Sequence, residues 1–344
     1  MRFGLFGGAA RGANGGDSQS YRQFIDYVIE AEQLGFESVF LVEHHFTGAG
    51  QLSASLTLLS YLAGLTSTMR LGTGVTVLPW HNPVLLAEQA ATVDLVSNGR
   101  LDFGIGKGYR PNEFHGFIVD PAQAQARFDE AIELLLKSWT SRDRFTHAGA
   151  LWNFRDVVVE PHPLQAPHPP IWVAAQSEGS IRAAARKGQR LLLDQFGSTD
   201  LTAQRVAAFH DELSRNNRKF EPGMLAVTRG LLLVDCADPA KRDAELNKRI
   251  AAIRHLQETA RVPGDTTPYK PQAGLMSDSR EANEAAVIIG PPEECIARLQ
   301  ALEAAGVDYV LFNDPWGGIE RLRFFAREVM PAFQKPGISA SRLA

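Results

Sequence analysis

The stretch that decides the fold runs from residue 71 to residue 106 and reads LGTGVTVLPWHNPVLLAEQAATVDLVSNGRLDFGIG. Its first part, 71–79, is an apolar run that predicts a buried strand, and 101–106 is a second run of the same kind. Between them Pro83 begins a largely apolar segment, and proline suits the first turn of a helix. The order strand, helix, strand predicts two parallel strands joined by a crossover helix.

The same alternation continues on both sides of this stretch. Apolar runs that predict strands lie at residues 2–6, 38–42, 71–79, 101–106, 171–175, 190–194, 225–235 and 307–314, each followed by a helical pattern. Units of this kind in this number fit an α/β fold, a closed (β/α)8 TIM barrel that forms a single domain over residues 1–344. An open, doubly wound sheet is the alternative that the pattern leaves open.

Two segments interrupt the rhythm, and we predict them as insertions after strands 4 and 7. Residues 142–170 contain short strand-like pieces and the proline-rich stretch PHPLQAPHPP. Residues 261–288 contain prolines and glycines that disfavour a continuous helix, so we expect a long loop there that closes over the barrel mouth.

Composition excludes several classes of function. The net charge is −4 and no long basic run exists, so we expect no nucleic acid partner. Cys236 and Cys295 do not form a disulfide framework. The first residues lack a signal peptide's pattern, and no apolar run reaches the roughly 18 residues that a membrane span requires. We therefore expect a cytoplasmic protein with no membrane contact.

Ionisable residues follow the second predicted strand directly. The stretch VFLVEHHF, 39–46, places Glu43, His44 and His45 where a buried strand ends, and ionisable groups are costly to bury unless they are paired or used. Histidine titrates near neutral pH, which suits general acid–base chemistry. Neighbouring strand residues point to opposite faces and no HxH or HExxH spacing is present, so we predict no metal site.

A basic residue and two hydroxyls follow the fourth and fifth strands. Lys107 lies in GIGKGY, which lacks the GxGxxG spacing of a dinucleotide fingerprint and leads into a proline-containing loop. Ser177 and Ser180 lie in SEGS at the start of a helix, and a helix N-terminus binds anions readily. These residues predict a phosphate site, although the serines could instead only cap the helix.

Four motifs together resemble the bacterial luciferase-like family of flavin-dependent monooxygenases. They are LVEHHF, LGTGVTVLPWHNPVLLAEQAATVDLVSNGRLDFGIGKGY, IWVAAQSEGS and GPPEECIARLQALEAAGVDYVLF, and they span nearly the whole chain in the family's order. The resemblance implies a (β/α)8 barrel that takes reduced FMN as a cosubstrate from a separate flavin reductase. It further implies that O2 reacts through a peroxyflavin and that one oxygen atom enters a small organic substrate.

The resemblance also implies roles for individual residues. His44 corresponds to the family's acid–base histidine at the flavin, with Glu43 and His45 as supporting residues. Lys107, Ser177 and Ser180 correspond to the phosphate contacts, and lysine keeps the charge of the more common arginine without its bidentate fork.

The resemblance further implies which residues lie against the flavin ring. Thr73, Gly74 and Val75 match the stretch that lies against the ring, with a cis peptide between Gly74 and Val75. Gly106 and Tyr109, on either side of Lys107, are expected to line the site, as is Gln176, which stands where luciferases carry an acidic residue.

The sequence leaves two alternative functions open and predicts one oligomeric state. The fold also serves deazaflavin-dependent hydride-transfer enzymes and non-catalytic flavin-binding proteins. Apolar residues on the predicted helices 53–66 and 83–97, together with the resemblance, predict a homodimer through this side of the barrel. The sequence does not name the organic substrate.

Overall fold

The computed structural model of the protein describes residues 1–9, 16–233, 238–265, 276–314 and 318–334. Within these ranges the strands are β1 (Arg2–Gly7), β2 (Ser38–Leu41), β3 (Arg70–Thr73), β4 (Thr76–Val77), β5 (Leu101–Gly106), β6 (Phe145–Ala148), β7 (Asn153–Val157), β8 (Ile171–Ala174), β9 (Arg190–Leu193), β10 (Leu225–Leu233), β11 (Val287–Gly290) and β12 (Tyr309–Asn313). The helices are α1 (Asp17–Gln33), α2 (Ser55–Leu65), α3 (Pro83–Val96), α4 (Pro111–Gly116), α5 (Ala124–Thr140), α6 (Glu178–Lys187), α7 (Thr199–Arg215), α8 (Pro239–Thr259), α9 (Arg280–Ala285), α10 (Pro292–Ala304) and α11 (Gly318–Glu328).

Eight of the strands close into a parallel ring. Its order is β1, β2, β3, β5, β8, β9, β10, β12 and back to β1. The ring closes at β12, where Tyr309 pairs with Arg2 on one side and with Ala226 on the other. The predicted (β/α)8 barrel is therefore confirmed. The alternative of an open, doubly wound sheet is wrong, because β12 pairs with both β1 and β10 and so leaves no gap in the ring.

Side chains alternate between the inside of the ring and the helical layer. Along β2, Phe40 belongs to an inner cluster that also contains Trp172 and Tyr309, whereas Val39 and Leu41 join the larger cluster shared with the helices. This is the two-residue period of a strand. Because the interior is filled, a ligand site has to lie at the mouth, where the loops follow the strands.

The predicted strand 71–79 is interrupted. β3 ends at Thr73, β4 resumes at Thr76, and the Gly74–Val75 peptide between them is cis, as the resemblance implies. The chain then leaves the sheet through a 3-10 turn, Leu78–Trp80, rather than continuing as a strand to residue 79.

The insertion at 142–170 contains the strand-like pieces that its sequence predicts. β6 and β7 pair as an antiparallel hairpin outside the barrel ring. Glu130 on α5 anchors this hairpin, because its carboxylate accepts hydrogen bonds from the backbone N–H groups of Leu151 and Trp152 and lies 3.2 Å from His147 Nε2.

The loop predicted at 261–288 is wrong in its second half. Residues 280–285 form α9, and β11 follows and pairs in parallel with the second half of β10, from Gly230–Val287 to Leu233–Gly290. The apolar run of β11 is short and follows a segment rich in helix breakers, which concealed it. Residues 266–275, at the centre of the expected closing loop, lie outside the described residues.

The remaining structural expectations concern the cysteines and membrane spans. Cys295 is buried, whereas Cys236 lies outside the described residues. No helix among those that the structure describes is both long and apolar enough to cross a membrane.

Candidate active site

The loops after β2 and β5 carry four of the predicted site residues, Glu43, His44, Lys107 and Tyr109, to the barrel mouth. β2 ends at Leu41, so Glu43 and His44 lie beyond the strand, where the His44 N–H bonds the carbonyl of Leu52 at 2.9 Å. The loop after β5 continues into α4, which the sequence analysis missed. Pro111 in its first turn is the signal that predicts such a helix.

His44 is paired with Glu113, a residue that the sequence analysis did not select. His44 Nδ1 lies 3.1 Å from Glu113 Oε1, and the same oxygen accepts a 2.9 Å hydrogen bond from the His45 N–H. Glu113 is buried, and a carboxylate can only accept hydrogen bonds, so the proton of neutral His44 is held on Nδ1. Nε2 is then the basic nitrogen of His44.

Two opposing influences set the pKa of His44. Burial is the largest cause and lowers it, and the positive charge of Arg110 lowers it further. The hydrogen bond and the charge of Glu113 act in the opposite direction, and the net pKa lies below the ordinary value of 6.5. His44 is therefore neutral at neutral pH and able to accept a proton.

The Glu43 carboxylate is in hydrogen-bond contact with three side chains from two loops. Its Oε1 lies 2.8 Å from His81 Nε2 and 3.2 Å from His45 Nε2, and it accepts a 3.0 Å hydrogen bond from Trp80 Nε1. Burial by itself would raise the pKa of this carboxyl, but these hydrogen bonds outweigh burial and lower the pKa to about 2. Glu43 thus fixes the two histidines, and its predicted supporting role stays a prediction.

Aromatic rings pack around this network. Trp80 stacks on Phe117 with centroids 5.2 Å apart, and the His45 ring meets Phe117 edge-on at 4.8 Å. Phe114 on α4 completes the contact with Trp80 at 5.3 Å. These contacts restrict the ring of His45, so its hydrogen bond to Glu43 keeps one geometry.

The seam between β3 and β5 carries three of the residues predicted to lie against a flavin ring. Thr73 is buried, and its hydroxyl both donates to the Gly104 carbonyl at 2.6 Å and accepts from the Gly104 N–H at 2.8 Å. The Thr73 side chain thus replaces a backbone–backbone hydrogen bond between the two strands. A Cβ on Gly74 would come within 2.8 Å of the Phe6 ring, so glycine is needed where the chain crosses this part of the mouth.

Lys107, Ser177 and Ser180 follow neighbouring strands. β5 pairs with β8, with Ile105 opposite Val173, so the residues just beyond these two strands leave the barrel side by side. Ser177 is the N-cap of α6 and its Oγ lies 2.9 Å from Ser180 Oγ. The capping interpretation is thus borne out, and it leaves the phosphate role a prediction. Lys107 is exposed and makes no hydrogen bond or ion pair within the described part of the chain.

Tyr109 and Arg110 lie beside His44. The Tyr109 ring is 46% exposed and meets the His44 ring edge-on, with centroids 6.3 Å apart. Arg110 is buried, with its guanidinium carbon 5.7 Å from the centroid of the Tyr109 ring. Gln176 and Gly106 occupy their expected places after β8 and at the end of β5, respectively.

No metal centre accompanies these groups in the described ranges, where no set of three or more His, Cys, Asp or Glu side chains is arranged to hold an ion. The histidines each face a carboxylate instead. Four residues of the network were missed as partners or not selected: Trp80, His81, Arg110 and Glu113. The first two were visible in LPWHNP after the third strand, whereas the pairing of Glu113 with His44 spans 69 positions and has no local signal.

The chain is similar in sequence to several known proteins. A Sinorhizobium fredii protein named y4vJ is 38% identical over 185 residues, which are 54% of this chain and 52% of that protein, so the chain spans about half the length of this relative in the match. The oxygenase component of the flavin-dependent trigonelline monooxygenase of Acinetobacter baylyi is 29% identical over 97% of this chain and 96% of its own. An F420-dependent glucose-6-phosphate dehydrogenase of Kineococcus radiotolerans is 28% identical over 89% of this chain and 91% of its own.

A solved structure agrees with these sequence matches. The monooxygenase RslO1 from Streptomyces bottropensis superposes with a TM-score of 0.84 at 26% identity, and the match covers 97% of this chain and 100% of the RslO1 chain. The sequence profile described as luciferase-like monooxygenase matches residues 1–309. The chain therefore belongs to the luciferase-like monooxygenase family.

Proposed function

We propose that this protein is the oxygenase component of a two-component monooxygenase that uses reduced FMN and O2 to oxidise a small organic substrate. The observation that carries the proposal is the His44–Glu113 pair at the barrel mouth, a neutral histidine whose basic nitrogen faces away from its carboxylate partner. Relatives named as monooxygenases cover nearly the whole chain, which supports oxygenation as the reaction.

The residues at the mouth fit FMN at both of its ends. Lys107 supplies a cation without a described partner, and Ser177 and Ser180 supply hydroxyls at the N-terminus of α6, where free N–H groups favour a phosphate. Gly74 and Val75 form the surface on which the ring would lie, with Gly106 behind Val75. When bound, reduced FMN supplies the electrons that activate O2.

The chain's own residues handle protons and exclude water. His44 accepts or returns a proton at Nε2, and Glu113 fixes its tautomer and stabilises the charged form. Glu43 holds His45 and His81, and the rings of Trp80 and Phe117 shield this side of the mouth from water.

Two partners belong to the proposal. A separate flavin reductase supplies the reduced cofactor, which the component name of the Acinetobacter baylyi relative supports. A second copy of the chain covers the exposed apolar residues of α2 and α3, namely Tyr61, Leu65, Leu85, Leu95 and Val96. An apolar patch on two adjacent helices is a usual surface for a two-fold dimer.

Deazaflavin-dependent hydride transfer is the second candidate. Its support is the F420-dependent relative, which matches as much of the chain as most monooxygenase relatives do. The two functions differ in their need for O2, because hydride transfer to or from a deazaflavin consumes none.

The deciding experiment combines binding with oxygen consumption. Purified protein is titrated without oxygen with FMN, reduced FMN and reduced F420, and O2 uptake is then followed with a flavin reductase and a panel of candidate substrates. We expect reduced FMN to bind most tightly and substrate to suppress hydrogen peroxide release. Tight binding of F420 together with substrate turnover in the absence of O2 would overturn the proposal.

A further inference from the structure

Arg110 is a buried arginine that meets no carboxylate among the residues that the structure describes. Its side chain is 1% exposed, and its hydrogen bonds go to neutral groups, from Nη1 to Gln51 Oε1 at 3.2 Å and from Nε to the Tyr109 hydroxyl at 3.4 Å. Nη2 makes no hydrogen bond within the described residues. By contrast, Arg70 on the same barrel is held in two hydrogen bonds by Asp102. A buried charge is costly unless a counter-charge meets it.

The carboxylates of the active site do not supply that counter-charge. Glu113 accepts from His44 and His45, and Glu43 accepts from His45, His81 and Trp80. Neither carboxylate lies within 4.0 Å of the Arg110 guanidinium, the limit for an ion pair. The positive charge is therefore free to be met by an anion that comes from outside the chain.

Arg110 stands beside the reacting histidine. Its charge acts directly on His44, and Tyr109 contacts both residues. Lys107 also follows β5, three residues before Arg110, whereas the two serines follow β8 at the start of α6; within the described residues no hydrogen bond or ring contact joins any of the three to His44. An anion at Arg110 would therefore belong to the second reactant and not to the phosphate of the cofactor.

We propose that Arg110 binds the carboxylate of an anionic organic substrate and so positions the rest of that substrate at His44. This inference rests on the proposed function. The planar guanidinium matches a carboxylate in two parallel hydrogen bonds. The long hydrogen bonds to Tyr109 and Gln51 are the ones that an incoming carboxylate replaces. Tyr109, which is half-exposed, provides the apolar surface beside it.

The first test compares matched anionic and neutral probes. Calorimetry on the FMN-loaded protein measures the Kd of benzoate against benzamide, and of octanoate against octanamide, without O2. We expect at least one acid to bind about tenfold or more tightly than its amide, as for a charged hydrogen bond. Arg110→Gln should abolish the preference and Arg110→Lys should keep part of it. Arg249→Gln is the matched control, because Arg249 is a buried arginine that bonds Gln195 and Asn283, away from His44.

The second test does not depend on the shape of the substrate or on folding of the variant. The titration of His44 is followed by NMR in the wild-type protein with and without acetate. Acetate at Arg110 should cancel the charge that depresses the pKa of His44 and so raise that pKa, while chloride at equal ionic strength should not.

The outcomes separate this inference from the proposed function. Equal affinity for every acid and its amide, together with a His44 titration that acetate leaves unchanged, overturns the inference. A loss of FMN affinity in Arg110→Gln as large as the loss of acid affinity assigns the guanidinium to the cofactor instead and also overturns it. A protein that prefers F420 yet selects acids through Arg110 would refute only the proposed function.

Discussion

Replacing Glu113 by glutamine tests the centre of the proposed chemistry. The carboxylate lies 3.1 Å from His44 Nδ1 and 2.9 Å from the His45 backbone nitrogen, and it is buried. Glutamine keeps the shape and one acceptor oxygen but removes the charge. Glu113→Gln should therefore fold as the wild type does and lose only the electrostatic support of a protonated His44.

The magnitude follows from the kind of hydrogen bond that is lost. A hydrogen bond to a charged group contributes about 1.5–3 kcal/mol and a neutral one about 0.5–1.5 kcal/mol. The difference, about 1–1.5 kcal/mol, corresponds to a roughly 5- to 15-fold lower kcat/KM if His44 becomes charged in the transition state. Glu113→Ala removes the acceptor as well, so its loss should be larger, about 10- to 150-fold.

The pH dependence of kcat/KM tests the same pair independently, through the direction in which the profile shifts. Glu113 raises the pKa of His44, so its removal should lower that pKa further and move the acid limb of the kcat/KM profile to lower pH. The assay is product formation with photoreduced FMN, so that no reductase limits the rate. In a His44→Ala background, Glu113→Gln should have little further effect, because the two residues act as a unit.

Glu130→Gln is the matched control. Glu130 also faces a histidine and accepts hydrogen bonds from backbone nitrogens, but it anchors the β6–β7 hairpin outside the mouth. Its substitution should leave kcat/KM and the pH profile unchanged. If Glu113→Gln and Glu113→Ala retained wild-type rates with unshifted profiles, the His44–Glu113 pair would be structural and the reasoning wrong.

Three further predictions test the cofactor, stability and assembly. Lys107→Ala should raise the Kd of FMN about 10- to 150-fold and leave riboflavin unchanged, as measured by calorimetry, and equal weakening of both would remove its phosphate role. The pKa of Glu43 falls from 4.5 to about 2 in the folded protein, so its carboxylate contributes about 3 kcal/mol of stability that is present above pH 4.5 and lost as the pH falls towards 2. Denaturant titrations of Glu43→Gln should accordingly show a shallower loss of stability on acidification than the wild type, and parallel curves would contradict this. Light scattering should give a dimer for the wild type and a monomer for Leu85→Glu, and a wild-type monomer at micromolar concentration would refute the dimer.

The barrel could be predicted from sequence because its signal is local and repeated. Each strand is a short apolar run, and each helix shows its own periodicity, so errors in one unit do not propagate to the next. β11 was missed, because three apolar residues and a glycine beside a proline- and glycine-rich segment give neither a clear strand length nor a clear period. The break between β3 and β4 after Thr73 could be predicted only from the family resemblance, because the residues Thr73, Gly74 and Val75 do not by themselves specify it.

The candidate site divides in the same way. Glu43, His44 and Lys107 could be selected because parallel strands bring their carboxyl ends to one mouth. Which carboxylate would meet which histidine could not be predicted, because Glu43 pairs with His45 in its own loop and with His81 in another loop, while Glu113 reaches His44 from a short helix. That Arg110 meets no carboxylate in the described part of the chain is likewise a property of three-dimensional packing that no motif contains.

The place of β12 in the ring has a consequence for how the chain reaches its native state. Tyr309 joins Arg2 at one flank and Ala226 at the other, so β1, the first of the described strands, stays unpaired on one side until β12, the last of them, is in place. Contacts so distant in sequence slow folding. Until β12 inserts, β1 and β10 are open edges that can pair with other chains, which makes this interval the one in which aggregation competes with folding. In pulsed hydrogen exchange, the amides of β1, β10 and β12 should become protected together and last, and a chaperone that improves the yield of this protein should act before that step.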